Sequence, residues 1–297
     1  MLKRLKISTF VLFLLSGLAG LAASQAHAMP LGSGWPALDL TPTIASDLKG
    51  AVDFTAIVAL NNCSGSLIRF ETSLGNEQAL VLTNGHCLSS GFMAPGEAKQ
   101  NESSSRTFRM LSADGRGSLG ELTADRLVYA TMTGTDMAIY RVTESYDSIE
   151  KQYGVHALTV SSKHPEATRH IAVVSGYWRK IYSCAIDRFA YELHEAGWIW
   201  KDSIRFLQPG CETIGGTSGS PIVDADTHEV VGINNTGNDA GEKCTEDNPC
   251  EVDAQGNITF EKGASYGQQT FWMYDCLTSG VIDATKPGCK LTKPAIR

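Results

Sequence analysis

The chain has 297 residues, 42% of them apolar and 19% charged, with 29 glycines and eight cysteines. That balance excludes a disordered, collagen-like or coiled-coil protein and suits one large all-β domain or two smaller units. The formal net charge is -7, and because Lys3, Arg4 and Lys6 stand in an acid-free leader, the rest of the chain is more acidic still; no nucleic-acid partner is expected.

Residues 1–28 read as an export signal, with a basic start, an apolar stretch from Ile7 to Ala23 and the small-x-small sequence Ala26-His27-Ala28. The stretch is short, is weakened by Gly17 and Gly20, and runs straight into the cleavage sequence. A cut after Ala28 is therefore expected instead of a membrane anchor, leaving a secreted or periplasmic protein with no stable membrane association. Residues 29–50 hold three prolines and little periodicity, which reads as an N-terminal extension, propeptide or strap.

Short runs rich in Val, Ile, Thr and aromatics follow: Phe54 to Leu60, Ser66 to Phe70, Ala79 to Thr83, Met137 to Val142, Ile171 to Val174, Val230 to Ile233 and Thr270 to Tyr274. Gly, Asn, Asp and Ser clusters separate them, a spacing that predicts an antiparallel sandwich or barrel. Glu144 to Gly154, charged and poor in apolar residues, reads as the linker between two halves. Helix is expected only near the end, in Lys286 to Arg297 or just before it. No fixed-period repeat is present.

Export makes the cysteines readable as disulfides, although eight of them allow on the order of 100 pairings. Cys184 and Cys211 bracket the segment before a glycine-rich turn, while Cys244 with Cys250 and Cys276 with Cys289 are neighbours in sequence. None falls in a zinc pattern, and Asp224, Asp226, Asp239 and Asp253 lie in turns without a calcium-loop pattern; no metal and no cofactor are expected.

Three local patterns carry chemistry. Val81 to Cys87 is an apolar strand end that delivers His86. Thr135 to Ile139 places Asp136 at the mouth of another apolar strand. Gly215 to Pro221 sets Ser218 in a tight glycine turn leading into Ile222-Val223. A serine hydroxyl is a weak nucleophile until a neutral histidine takes its proton and a carboxylate fixes that histidine's tautomer. Glycines beside the serine let backbone N–H groups face a developing oxyanion.

In the order His, Asp, Ser, these patterns make the chain resemble the trypsin-like serine peptidases, from about Phe54 to Tyr274. Cys63 to Ile68 followed by Leu82 to Cys87 is similar to the family's cysteine-bridged strands around the histidine, which implies a Cys63–Cys87 disulfide. Asp136 to Ile139 and Gly216 to Pro221 resemble the family's aspartate and serine motifs. The resemblance implies two packed six-stranded antiparallel β-barrels of the chymotrypsin type, about 51–145 and 155–280 within a peptidase domain of 51–297. It also implies a secreted endopeptidase, expected as a monomer acting on polypeptides. Ser218 would be the nucleophile, His86 the base, Asp136 its orienter, and the Gly216 and Ser218 amides the oxyanion hole. The alternative is a non-catalytic homologue that binds proteins or surfaces through the same cleft.

Thr217 stands where trypsin has an aspartate, so activation by a new N-terminus pairing there is not expected; the serine motif is closer to the bacterial branch that includes the glutamyl endopeptidases. That branch relies on a histidine where this chain has Asn234, which argues against Glu specificity. Thr213 and Asn234 are expected to line a neutral pocket for the residue before the cut, and Asn235, Thr236 and Gly237 to pair their backbone with an extended substrate. Intact-mass analysis of the exported protein is expected to show a chain beginning at Met29; retention of Met1 would overturn the cleavage.

Overall fold

The computed structural model describes residues 51–295; the export signal and the 29–50 extension lie outside them. The first half holds β1 (Ile57–Ala59), β2 (Ser64–Arg69), β3 (Gln78–Thr83), β4 (Ala98–Ser103), β5 (Thr107–Leu111), β6 (Ser118–Thr131) and β7 (Met137–Ser145), followed by helix α1 (Tyr146–Tyr153). The second half holds β8 (Leu158–Thr159), β9 (His170–Ser175), β10 (Lys180–Glu195), β11 (Trp198–Phe206), β12 (Pro221–Asp224), β13 (Val230–Gly237), β14 (Cys250–Val252), β15 (Ile258–Thr259) and β16 (Ser265–Gln269).

Strand pairing closes each half on itself. The first ring runs β1-β5-β6-β7-β3-β2 and returns to β1, antiparallel throughout. The second runs β9-β10-β11-β16-β13-β12 and returns to β9. Closure gives each ring strand a neighbour on both sides, the reason short half-polar strands can form a stable body, while β4 lies outside the first ring against β6. This is the chymotrypsin-type pair of barrels.

Alternating residues fill the first barrel: Val58, Leu67, Val81, Phe108, Met110, Leu122 and Tyr140 are buried in one cluster. A second cluster, Phe54, Ile57 and Leu111 against Ala172, Val174 and Val223, joins the two barrels. A third brings Ile68, Leu82 and Ile139 of the first barrel against Val230, Ile233 and Met273.

The four disulfides pair Cys63 with Cys87, Cys184 with Cys211, Cys244 with Cys250 and Cys276 with Cys289. They are the local pairings and the family-implied bridge of the sequence reading.

Three expectations are corrected. Helix is not confined to the end of the chain: Glu144 to Gly154, which does stand between the two halves, holds α1, capped by the Ser145 hydroxyl accepting the Ser148 amide at 3.2 Å and ended by Gly154 in the left-handed region. The charges misled because only Tyr146 and Ile149 of this short helix are buried. Thr270 to Tyr274 is not a strand. The strand is β16, five residues upstream, and Phe271–Cys276 is a 3-10 turn. Buried glutamines disguised β16, since Gln268 donates to Ser203 Oγ at 3.1 Å and Gln269 to the Asp202 carbonyl at 2.7 Å. No helix occurs in residues 286–295; Cys289 and Thr292 tie that tail down, Tyr129 donating to the Thr292 carbonyl at 2.9 Å.

The long β10–β11 hairpin escapes a sequence reading because it projects from its barrel, so polar residues sit on both faces. Its two-residue turn, Ala196-Gly197, has positive φ at both positions (45° and 99°), the hand that matches strand twist in tight hairpins.

Candidate active site

β3 ends in a 3-10 turn, Gly85–Cys87, which turns the chain over the mouth of the first barrel. Gly85 is required there: a Cβ would lie 2.1 Å from the Thr131 carbonyl oxygen and 3.0 Å from the Asp136 carboxylate. The Cys63–Cys87 bridge fixes the far side of the turn. Asp136, fully buried just before β7, accepts the Gly85 amide at 2.6 Å and the His86 amide at 3.1 Å on Oδ1, and faces His86 Nδ1 at 2.7 Å with Oδ2. The Asn84 side chain donates to the Asp136 carbonyl at 2.8 Å. With Nδ1–H donating to the carboxylate, His86 presents Nε2 as its free acceptor.

Ser218 comes from the second barrel, in the turn before β12. The turn is held by the Ser64 amide donating to the Ser218 carbonyl at 2.8 Å, the Gly219 amide to Asn234 at 3.0 Å, and the Trp178 indole to Gly215 at 2.8 Å. Gly219 has φ 79°, and a Cβ on it would lie 2.2 Å from the Ser64 carbonyl oxygen. The Ser218 hydroxyl donates to the Asn235 carbonyl at 3.3 Å. Gly216, with φ 87°, packs under Tyr177 and Trp178.

His86, Asp136 and Ser218 line one cleft of about 90 Å³ with Phe92, Met132, Glu195, Trp198, Trp200, Asn235, Thr236, Glu246 and Asp247. Larger surface hollows lie elsewhere, one of about 470 Å³ beside Glu77, Arg126 and Arg141, but it holds none of the three residues. Burial opposes a charge on His86, yet Asp136, through its charge and hydrogen bond, with Glu195 and Asp247, outweighs it. The imidazole pKa stands above the usual 6.5.

The expected pocket residues divide. Asn235 and Thr236 line the cleft, whereas Thr213 and Asn234 are not among its lining residues. Asn234 is buried and its amide donates to Thr217 Oγ1 at 3.1 Å, so it buttresses the serine turn. β13 pairs with β12 only through Val230–Ile233, which leaves Thr236 and Gly237 past the end of that ladder. Glu212 turns back onto its own loop and accepts the Gly210 amide at 3.1 Å. Asp224 is bound by Arg169 and by the amides of Asp226 and Thr227, and Asp253 accepts the Gln255 and Asn257 amides. Among the described residues, one group of potential metal ligands stands together, Cys63, His86 and Cys87; its two sulfurs are bonded to each other, so the thiolates a metal would need are gone.

Sequence reading missed Ser64, Phe92, Glu195 and Trp198. Ser64 bridges the barrels, its hydroxyl lying 3.1 Å from Ser175 Oγ and accepting the Tyr177 amide at 3.1 Å. The Trp198 and Trp200 indoles donate to the Met93 and Met132 carbonyls at 2.9 and 2.8 Å, pinning the hairpin to the first barrel. The one available signal was the Trp-Ile-Trp alternation after a Gly.

A model of the trypsin-like peptidase domain matches residues 63–233, more than half of the chain. The chain belongs to the trypsin-like serine peptidases. Solved structures similar to it include the MamO protease domain from Magnetospirillum magneticum, at 13% identity and TM-score 0.48, covering 77% of this chain and 98% of that one. The active form of the Rv3671c protease from M. tuberculosis is similar at 14% identity and TM-score 0.42, covering 93% and 96%. A Glu endopeptidase is similar at 16% and 0.40, covering 75% and 89%. At such values the assignment rests on the family match alone. No curated protein matches the chain.

Gly219→Ala forces a side chain into the Ser64 backbone at a positive φ, and a loss of at least about 1–3 kcal/mol is expected in denaturant unfolding. An unchanged midpoint would contradict the packing of the serine turn.

Proposed function

We propose that the chain is an exported serine endopeptidase that cuts extended polypeptides through an acyl-enzyme on Ser218. The reading is carried by one observation: Asp136, buried and bound by three N–H groups, presents His86 Nε2 to the cleft that holds Ser218.

As the Ser218 hydroxyl swings from Asn235 toward His86, Nε2 takes its proton and Oγ attacks the scissile carbonyl carbon. Charge moves to the carbonyl oxygen, which the Gly216 and Ser218 amides would receive. Asp136 keeps Nδ1–H directed and stabilises the imidazolium. The imidazolium then gives its proton to the departing amine as the C–N bond breaks, which leaves an ester on Ser218. A water, deprotonated by the same histidine, attacks that ester and regenerates the hydroxyl. The substrate lies as an added strand along Thr236 and Gly237. The four disulfides fit an oxidising extracellular or periplasmic setting.

Incubating folded protein with a denatured protein mixture and sequencing new termini by mass spectrometry tests this. New termini are expected with the wild type, and Ser218→Ala is expected to reduce their formation by roughly 10⁴-fold or more. Equal cleavage by both would remove Ser218 from the mechanism, and none by either would favour a binding protein.

Only neutral His86 can take the serine proton, and its pKa is raised above 6.5. The rate is therefore expected to climb with pH, with its midpoint above 6.5. A flat profile from about pH 5 to 8 excludes His86 as the base.

A further inference from the structure

We infer that Glu195, flanked by Asp247, forms a subsite for the cationic side chain of a Lys or Arg two residues before the scissile bond. This rests on the peptidase reading and concerns its substrate class.

Glu195 closes β10 and is only 6% exposed. One carboxylate oxygen accepts the Asp247 amide at 2.9 Å, which anchors the loop bridged by Cys244–Cys250. The other is buried with no hydrogen bond of ordinary geometry, the Thr236 hydroxyl being near enough only to lower the carboxyl's pKa in part against its burial. A purely structural role accounts for the first oxygen and leaves the second unexplained, because a buried carboxylate oxygen without a donor is costly. Glu195 lines the same cleft as Ser218 and His86, with Glu246 and Asp247 beside it, and no Lys or Arg is among the lining residues. The missing donor is therefore one that a ligand can bring.

The walls suit that ligand. Phe92, 54% exposed, stands edge-on to Trp198 with ring centroids 5.6 Å apart and to His86 at 5.9 Å. Such rings take the aliphatic stem of Lys or Arg and attract its charge.

Position follows from strand geometry. In an extended substrate on the Thr236–Gly237 edge, successive side chains point to opposite faces. With the side chain before the cut on the Thr213 side of the serine turn, as the family resemblance implies, the next one back faces the opposite wall, lined by His86, Trp198 and Glu195. Burial pushes the Glu195 carboxyl up to about 7, and a bound cation would favour its ionised form.

The test uses peptides built on a cut site mapped with the protein mixture, carrying Lys, norleucine or Glu at the second residue before the cut, assayed near pH 8 where Glu195 is mostly ionised. The wild type is expected to favour Lys over norleucine in kcat/KM by about 10-fold or more and to reject Glu. Glu195→Gln keeps an oxygen for the Asp247 amide but loses the charge, and the Lys-to-norleucine ratio is expected to fall to about one. Equal wild-type rates, or a preference that survives Glu195→Gln, would overturn the subsite; if that variant does not fold, the wild-type series decides alone. Labelling of Ser218 by a fluorophosphonate separates the two levels. A labelled, cleaving enzyme without Lys preference sinks the subsite and leaves the peptidase reading standing. No labelling and no cleavage of any peptide removes both.

Discussion

A carboxylate buried as completely as that of Asp136 is tolerable only where several donors converge on it, and much of the first barrel follows from that demand. The Gly85 amide can approach within 2.6 Å because residue 85 has no side chain. The His86 amide comes within 3.1 Å because the turn after β3 is tight, and the ring nitrogen lies at 2.7 Å in a turn whose far side is fixed by the Cys63–Cys87 bridge. β3 and β7 are adjacent strands, with Thr83 opposite Ala138, so the barrel brings the histidine turn and the aspartate together without a long loop.

The second barrel contributes the hydroxyl, and the two parts meet through backbone contacts. Ser64 is the hinge pin of this arrangement: its amide holds the Ser218 carbonyl, its carbonyl accepts the Thr83 hydroxyl at 2.7 Å, and its own hydroxyl lies beside Ser175 and the Tyr177 amide. A residue with no charge and no chemical role thus sets the distance between a base on one barrel and a nucleophile on the other.

What could be read beforehand was whatever is local in sequence. The strands around His86, Asp136 and Ser218 announce themselves because apolar runs end abruptly in a polar residue or a glycine turn. The pairing of near-neighbour cysteines is equally local. The β10–β11 hairpin, with Glu195 and Trp198 at its tip, was opaque because its residues look solvent-exposed until the first barrel is brought against them. Asn234 was assigned to a pocket wall because it stands where the glutamyl endopeptidases carry a histidine, but its amide is drawn inward to Thr217. β16 was hidden by Gln268 and Gln269, whose partners lie on and just before Ser203 of another strand.

The four disulfides share a property with a mechanical consequence. Cys63–Cys87 lies in the first barrel, Cys184–Cys211 and Cys244–Cys250 in the second, and Cys276–Cys289 in the tail. None ties one barrel directly to the other. Each half is stapled, while the seam between them is held without covalent links, by the Phe54–Val223 cluster, the larger cluster of Ile68, Leu82 and Ile139 against Val230 and Ile233, the Ser64–Ser218 bond and two indoles seated on carbonyls. The distance from histidine to serine therefore rests on packing and hydrogen bonds across the seam, whereas the shape of each barrel is braced covalently as well.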